Sequence, residues 1–167
     1  FAKAFENDNT LIAVLNTIRV SFAVAILCVA LGLPLAWLLT RTDLPYRRQL
    51  RSWLCLPYAI PSFVGAIGWI LLANPSSGIL NQWLELKVNV YSYWGLVAVE
   101  TSFLYAFVLI NILSSFEQMD SSYEEAARLS GANPWKVFRD IAIPILKPTL
   151  MSSFILSFLA TAASFGV

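Results

Sequence analysis

Four segments of this chain are long and apolar enough to cross a lipid bilayer, at residues 18–39, 53–72, 94–116 and 149–167. A helix that spans the hydrocarbon of a membrane needs about 20 apolar residues at a rise of about 1.5 Å each. Hydrophobic residues make up 58% of the sequence and charged residues 13%, which is too apolar for an ordinary water-soluble domain. We therefore predict an all-α, polytopic membrane protein, with about four transmembrane helices in a single domain over residues 1–167, surrounded by the lipid bilayer.

The basic residues are gathered in the loops between these segments, and their distribution indicates how the chain is oriented in the membrane. Loop 40–52 holds four arginines and the insert 117–148 holds two arginines and two lysines, whereas loop 73–93 holds only Lys87. Lys and Arg residues of short loops stay on the cytoplasmic side of a membrane. We expect loops 40–52 and 117–148 to be cytoplasmic and loop 73–93 to be external. The net charge of +1 gives no reason to expect nucleic acid as a partner.

The second apolar segment carries Pro57 and Pro61 near its start. Proline removes a backbone donor and clashes with the preceding turn, so the first turn or two of this helix should be kinked or irregular. Further along, Gly65 and Gly68 fall on one side of the helix and would allow close contact with a neighbouring helix.

The residue types needed for catalysis or metal binding are sparse. The sequence holds no His, and Cys28 and Cys55 both lie inside apolar runs, where a thiol behaves as a small hydrophobic group. An intramembrane enzyme needs a His-containing metal motif, a Ser with a base, or paired Asp residues within the spans, and the sequence has none of these. We therefore predict that the chain is not an enzyme and has no catalytic residue, no metal ligand and no cofactor of its own.

The insert 117–148 is charged, well capped and predicted to form two short cytoplasmic helices with a turn between them. Ser121 or Ser122 can cap the first helix, and Glu124 and Glu125 in its first turn suit the helix dipole. Gly131 supplies a left-handed stop for this helix.

The second helix of the insert follows at once. Asn133 can cap it, and Pro134 suits its first position. Apolar residues recur along it at helical spacing and share one face: Trp135, Phe138, and Ile141 or Ala142. Pro144 and Pro148 are expected to end this helix before the fourth span.

The spacing of residues within the insert gives the strongest functional signal in the chain. Three blocks stand at fixed intervals, with three and then nine residues between them: Glu125, Ala126 and Ala127; Gly131; and Ile141, Ala142, Ile143 and Pro144. This pattern resembles the signature E-A-A, x3, G, x9, I-x-L-P of the inner-membrane permeases of binding-protein-dependent ABC importers. Ile143 stands where that signature usually has Leu, a near-isosteric change.

The resemblance extends over most of the chain. "NTIRVSFAVAILCVALGLPLAWLLTRTDLPYRR" looks like the second membrane helix and following loop of such permeases, and "LPYAIPSFVGAIGWILL" looks like their proline-rich third helix. "EEAARLSGANPWKVFRDIAIPILKP" and the closing "ASFGV" are more similar to the first half of double-length ferric-iron-type permeases than to other branches. On this comparison the chain would lack the helix before residue 1 and whatever follows Val167.

The family resemblance implies a role for the insert. Its first short helix would be a coupling helix that docks into a groove of a separate cytoplasmic ABC ATPase dimer, which binds the ATP and Mg. The coupling residues would be Glu124, Glu125, Ala126, Ala127, Gly131, Ile141 and Pro144. The two alanines leave a thin face that can enter a groove, and the last two residues would pass the movement to the membrane helices. A loop lying passively on the membrane surface is the alternative, and the fixed spacing argues against it.

The same resemblance implies that the chain is a permease subunit in the bacterial inner (plasma) membrane. It would receive substrate from a periplasmic or extracellular binding protein and form the pore with a second permease half, fused or separate. Ferric iron is the expected substrate. Importers of thiamine, polyamine, sulfate and aminoethylphosphonate share the architecture and are alternatives, and a non-transport membrane scaffold is a further one.

Polar residues inside the spans are the candidates for a substrate path, namely Glu100, Ser102, Asn111 and Ser62. Glu100 is the only acidic residue within a span, and an ionisable group there indicates a function by default. Alternatively, Glu100 lies near the external surface and reaches water or pairs with Lys87. The other three could line a polar path or form hydrogen bonds between helices.

Overall fold

The computed structural model describes residues 8–84 and 88–164, and all regular secondary structure in these ranges is helical. Eight α-helices follow one another in these ranges: α1 (Asp8–Arg41), α2 (Arg47–Cys55), α3 (Ser62–Ala73), α4 (Ile79–Leu84), α5 (Tyr93–Gln118), α6 (Ser122–Leu129), α7 (Pro134–Val137) and α8 (Ile143–Ser164). The predicted all-α fold is confirmed. Lys87 and residues 165–167, the end of the fourth predicted span, lie outside the described residues, as does the side chain of Ser62.

Helices α1 and α5 pack side by side and run in the same direction. At one end the Tyr93 hydroxyl donates a hydrogen bond to the carbonyl of Arg19 at 3.2 Å. At the other end the ring centroids of Trp37 and Phe116 are 5.9 Å apart. Because the chain enters both helices at the same end of the bundle, the segment between them must return across it.

Helix α8 runs antiparallel to the other two long helices. Near its start, the hydroxyl oxygens of Thr149 and Ser115 are 2.8 Å apart, which places the beginning of α8 beside the end of α5. Further along, Phe154 meets the first half of α1 in an edge-to-face contact with Phe22, with centroids 5.6 Å apart. Residues 10–41, 93–118 and 134–164 are each long and apolar enough to cross a membrane.

The contact between α1 and α5 is the best-packed part of the bundle. Apolar side chains from both helices are fully buried there: Val24, Cys28, Leu109, Ile112 and Phe116. In lipid, such packing stabilises a bundle through van der Waals contact rather than through the exclusion of water. This contact holds α1 and α5 together from their middle to the ends that lie beside the insert.

The second predicted span, 53–72, is not one helix, which corrects the sequence prediction. Helix α2 begins earlier, at Arg47, and passes into a 3₁₀ segment at Leu56–Ala59 before α3 starts at Ser62. The two parts meet at an angle of 98°. Pro57 and Pro61 explain the position of the break, since each removes a backbone donor that a continuous helix would need. The sequence located the irregularity correctly but not its size.

Helix α3 packs against α5 through a small residue and a hydrogen bond. A Cβ atom added at Gly65 would lie 2.1 Å from the ring of Phe103, so a larger residue here would force that ring out of its present place. One turn later, the Trp69 indole N–H donates to the Ser102 hydroxyl at 3.0 Å. The sequence predicts that Gly68 shares this helix contact, but a Cβ atom added at Gly68 would meet no atom within 4 Å.

Replacement of Gly65 by valine is expected to destabilise the α3–α5 contact. The added side chain would overlap the Phe103 ring, and overpacking of this kind typically costs about 1–3 kcal/mol. The apparent unfolding temperature of the detergent-solubilised protein should fall, and Phe103→Leu in the same chain should restore part of the loss. Gly68→Val is the matched control, and equal effects at the two glycines would contradict the packing described here.

The second helix of the insert continues into the fourth span without ending, so the prediction that Pro144 and Pro148 end it is wrong. After α7 comes a π-helical segment at Phe138–Ala142, in which the Ile143 N–H bonds the carbonyl of Phe138, and α8 follows directly. A wider turn just before Pro144 relieves the clash that a proline ring makes with the preceding turn. The insert is therefore joined to the membrane helix by a continuous helical backbone.

The loops separate into two groups at opposite ends of the bundle. Ion pairs link loop 40–52 and the end of α1 to the end of α5 and the insert 117–148. At the other end, the Val90 N–H donates to the Ala73 carbonyl at 3.2 Å, which closes loop 73–93. A chain that crosses a membrane back and forth places successive loops on opposite sides, and these loops follow that arrangement.

Candidate functional site

Helix α6 is the first short helix of the insert, and its start is fixed by an acidic residue that the sequence prediction missed. The backbone N–H of Ser122 donates to the Asp120 carboxylate at 2.9 Å, and this hydrogen bond lowers the pKa of Asp120. Ser121 occupies the capping position without a side-chain capping bond, and its hydroxyl lies 3.2 Å from the Glu125 carboxylate instead. Helix α6 therefore starts where predicted, with a different capping group.

Glu124 faces inward from α6 and is only 2% exposed. Its carboxylate accepts a hydrogen bond from Nε of Arg41, the last residue of α1, at 2.8 Å. The Arg128 guanidinium, one turn further along α6, lies 3.7 Å from the other carboxylate oxygen. A buried carboxylate needs such a partner, because an unpaired one would pay a large desolvation penalty.

Arg41 also ties α6 to the end of α5. Its Nη2 donates to the carbonyl of Phe116 at 3.4 Å, and its guanidinium lies 5.3 Å from the centre of the Phe116 ring. One guanidinium group thus contacts the last turns of α1 and α5 and the first turn of α6. We call this contact, made by Arg41, Glu124 and Phe116, the arginine clamp.

The opposite side of α6 is open. Ser122, Glu125, Ala126 and Leu129 recur at helical spacing and are all exposed, and Leu129 is 89% exposed. Ala127 is half-buried on the inward side. Small side chains and one large apolar residue make this outer face suitable for packing against another protein. Leu129 was not among the predicted coupling residues, although its spacing from Glu125 and Ala126 could have revealed it.

Gly131 ends α6 in the left-handed conformation that the sequence predicted. Its φ is +83°, and the Gly131 N–H bonds the carbonyl of Arg128 at 3.0 Å while the Ala132 N–H bonds that of Ala127 at 3.0 Å. This pair of bonds is the Schellman arrangement, which requires a residue that tolerates positive φ. The turn sends the chain directly into α7.

Helix α7 is capped as predicted, since the Asn133 side chain accepts a hydrogen bond from the Lys136 N–H at 2.8 Å. The following segment packs on α1 through Phe138, whose ring centroid is 4.8 Å from that of Trp37. Trp135, which was assigned to the same apolar face, is 66% exposed. Aromatic contact therefore joins the second half of the insert to α1, beside the arginine clamp.

Ile141 and Pro144 lie at the junction between the insert and α8. Ile141 is half-buried within the π-helical segment, and Pro144 is exposed in the first turn of α8. The continuous backbone at this junction connects α6 and α7 mechanically to the long helix.

The predicted substrate-path residues do not come together at one place. The Ser102 hydroxyl accepts from Trp69 and donates to the Val99 carbonyl at 2.6 Å, so it serves a contact between helices. Asn111 follows Ser102 by nine residues, about two and a half turns, and so lies on nearly the opposite side of α5. Glu100 shares the Asn111 side and is half-buried, but lies about 16 Å away along the helix.

Metal-ligating side chains are not grouped in the part of the chain that the structure describes. Within residues 8–84 and 88–164 there is no cluster of three or more His, Cys, Asp or Glu side chains that could hold an ion. Cys28 and Cys55 are both free thiols.

Residues 28–165 match the family described as binding-protein-dependent transport system inner membrane component. The chain belongs to this family. Its members are transport permeases of the inner membrane, in agreement with the long apolar helices found here. The match covers the broken second segment, the arginine clamp and the whole insert.

Similar proteins include permeases named for sulfate and molybdenum transport systems. The sulfate transport system permease protein CysT of Escherichia coli (strain K12) is 31% identical over 166 residues, which cover 98% of this chain and 60% of that protein. The molybdenum transport system permease protein ModB of Azotobacter vinelandii is 26% identical over 163 residues, which cover 96% of this chain and 72% of that protein. The chain thus spans about 60% of the length of the sulfate permease.

The fold is also found in a solved transporter. The crystal structure of a bacterial alginate ABC transporter, in complex with an alginate pentasaccharide-bound periplasmic protein, contains a chain that matches with a TM-score of 0.78 at 19% identity. The match covers 94% of this chain and 58% of that chain. At this level of identity the likeness establishes the fold and not the substrate.

Proposed function

We propose that this chain forms the membrane-spanning permease part of an ATP-driven importer, with α6 as the helix that couples it to a cytoplasmic ABC ATPase dimer. The observation that carries the proposal is the two-sided build of α6. Its inner side is held to the membrane helices by the buried pair of Glu124 and Arg41, and its outer side is an exposed stripe ending in Leu129. A helix with this build can receive a partner on one face and transmit displacement through the other.

The predicted coupling residues then divide into four roles. Glu125 and Ala126 on the outer face would contact the ATPase, which binds the ATP and Mg. Glu124 and Ala127 would hold α6 to the bundle, and Gly131 would set the direction of α7. Ile141 and Pro144 would pass the displacement into α8 through the continuous backbone.

Orientation and the remaining partners follow from the same proposal. Loop 40–52 and the insert 117–148, grouped at one end of the bundle, would be cytoplasmic because they carry most of the basic loop residues. Loop 73–93 would face the outside and receive the substrate-binding protein. A second permease half, fused or separate, would complete the pore.

We propose a tetrahedral oxyanion of the sulfate or molybdate type as the substrate. The support is similarity to permeases named for sulfate and molybdenum, at 31% and 26% identity over nearly the whole chain. The expectation of ferric iron rests on the likeness of the insert sequence and of the closing "ASFGV" to ferric-iron-type permeases.

The experiment is uptake into vesicles that contain the full-length permease, the ATPase and the binding protein. Radiolabelled sulfate, molybdate and ferric iron are offered in turn, with and without internal ATP. We expect one oxyanion to accumulate in an ATP-dependent manner and ferric iron to stay at the level of the ATP-free vesicles. Accumulation of iron alone would overturn the substrate proposal, and the absence of ATP-dependent uptake of any cargo, with normal ATPase binding, would overturn the importer proposal.

A further inference from the structure

A basic cavity of about 310 Å³ lies at the end of the bundle where α1 and α5 finish. Seven residues line it: Leu39, Thr40, Arg41, Arg47, Arg48, Arg51 and Glu117. Four arginines and one glutamate thus line the cavity, and that glutamate is already paired with Arg51. The cavity holds more positive charge than its own side chains neutralise, so it favours an anion.

Two of the four guanidinium groups are available for a ligand. Arg41 belongs to the arginine clamp and Arg51 pairs with Glu117. Arg47 and Arg48 form the first turn of α2, are exposed, and make no ion pair within the described residues. A guanidinium group binds a phosphate through paired hydrogen bonds, which makes arginine a preferred phosphate ligand.

The start of α2 adds backbone donors to the same place. Tyr46 precedes the helix in the left-handed conformation, with φ at 59°, and provides no side-chain cap. The first intrahelical bond runs from the Leu50 N–H to the Tyr46 carbonyl at 3.0 Å, so the N–H groups of residues 47–49 have no helical acceptor. Uncapped N–H groups at a helix start attract anions, here beside two arginines.

The other side of α2 is apolar and exposed. Trp53 is 71% exposed and Leu50 is 41% exposed, whereas Leu54 packs on the core. Because α2 lies where the apolar stretches of α1 and α5 end, this side is at the level of a membrane surface. A basic cavity next to an apolar face suits a ligand that has a charged head and a hydrocarbon tail.

We infer that this cavity binds the phosphate headgroup of an anionic phospholipid, with Arg47 and Arg48 as its ligands and Trp53 beside the acyl chains. The headgroup would hold α2 against the membrane surface, next to the arginine clamp. The inference stands without the proposed transport function, because it concerns only the packing of this chain in a bilayer.

The test is binding of short-chain phosphatidylglycerol to the purified full-length permease, measured by titration calorimetry below the micellar concentration of the lipid. The variant is Arg47→Ala with Arg48→Ala. The matched control is Lys136→Ala with Arg139→Ala, which removes the same charge from exposed positions outside the cavity. Since each basic residue near a membrane surface contributes about a fivefold gain in affinity, the variant should bind about 30-fold more weakly and the control within about twofold of wild type.

Binding and competition measurements with other ligands distinguish a lipid headgroup from a free anion as the ligand of the cavity. We expect phosphatidylcholine to bind far more weakly than phosphatidylglycerol, and inorganic phosphate and sulfate at the same concentration not to compete with the lipid. Equal loss in variant and control, equal binding of the two lipids, or competition by a free anion would overturn the inference. So would a variant that loses affinity for the ATPase while its phosphatidylglycerol binding is unchanged, because the cavity would then serve a protein partner.

Discussion

Replacing Arg41 with alanine is expected to abolish ATP-driven uptake while the ATPase remains bound and active. Glu124 is almost fully buried, and its carboxylate forms a close ion pair with Arg41, which lies 83 positions earlier in the chain. Removing one partner of a buried pair costs about 3 kcal/mol, because the other charge is left in a poor environment. Helix α6 would lose its hold on α1 and α5, and ATPase movement would no longer reach them.

Uptake and ATP hydrolysis measured in the same vesicles distinguish this outcome from a failure to assemble. Arg128→Ala is the matched control. The Arg128 guanidinium also lies near the Glu124 carboxylate, at 3.7 Å, but its side chain is 49% exposed. An exposed pair of this kind contributes less than about 1 kcal/mol, so uptake should be nearly unchanged.

A charge exchange tests the geometry of the clamp directly. In the chain with Arg41→Glu and Glu124→Arg the pair is restored with reversed polarity, and uptake should recover in part relative to either single change. Normal uptake by the folded Arg41→Ala protein would show that the clamp does not transmit the movement.

Gly131→Val is expected to uncouple transport by a different route. An added Cβ at this position meets no atom within 4 Å, so the substitution is not excluded by space. The obstacle is the backbone, since a φ of +83° is strained for any side chain and worst for a β-branched one. Relief of that strain would redirect α7 and pull the following segment away from the Phe138–Trp37 contact with α1, and it would redirect the exposed face of α6.

The measurement is ATPase affinity together with ATP-dependent uptake. Gly131→Asn is the graded control, because asparagine tolerates the left-handed conformation and should keep most of the activity. Gly68→Val, which adds the same side chain to an open position in α3, controls for bulk alone. A Gly131→Val protein that binds the ATPase and transports normally would refute the role assigned to the turn.

The features that the sequence predicted well are those decided by neighbouring residues. Gly131 and the Asn133–Pro134 pair set the turn and the start of α7 locally, and both are found as expected. The apolar lengths of α1 and α5 are likewise a local property, and their helices cover the predicted spans 18–39 and 94–116. Local chemistry sufficed in each case.

The clamp could not be predicted in this way. Glu124 and Glu125 are adjacent and chemically alike, and only the position of Arg41 at the end of α1 decides which of them is buried. The continuation of the helix past Pro144 was also missed, because a π-helical turn has no clear sequence signal. The clamp depends on long-range packing, and the π-helical turn on a backbone adjustment beside Pro144.

The break in the second segment bears on how the protein is made. Helix α3 has 12 residues, which extend over about 18 Å, whereas the hydrocarbon of a bilayer is about 30 Å thick. If α3 entered the bilayer from the translocon without a neighbouring helix, the polar backbone at its ends would be exposed to lipid. Its contacts through Gly65 and Trp69 are with α5, which is synthesised later. We therefore expect the second segment to settle only after α5 is in place, so that this region assembles out of chain order.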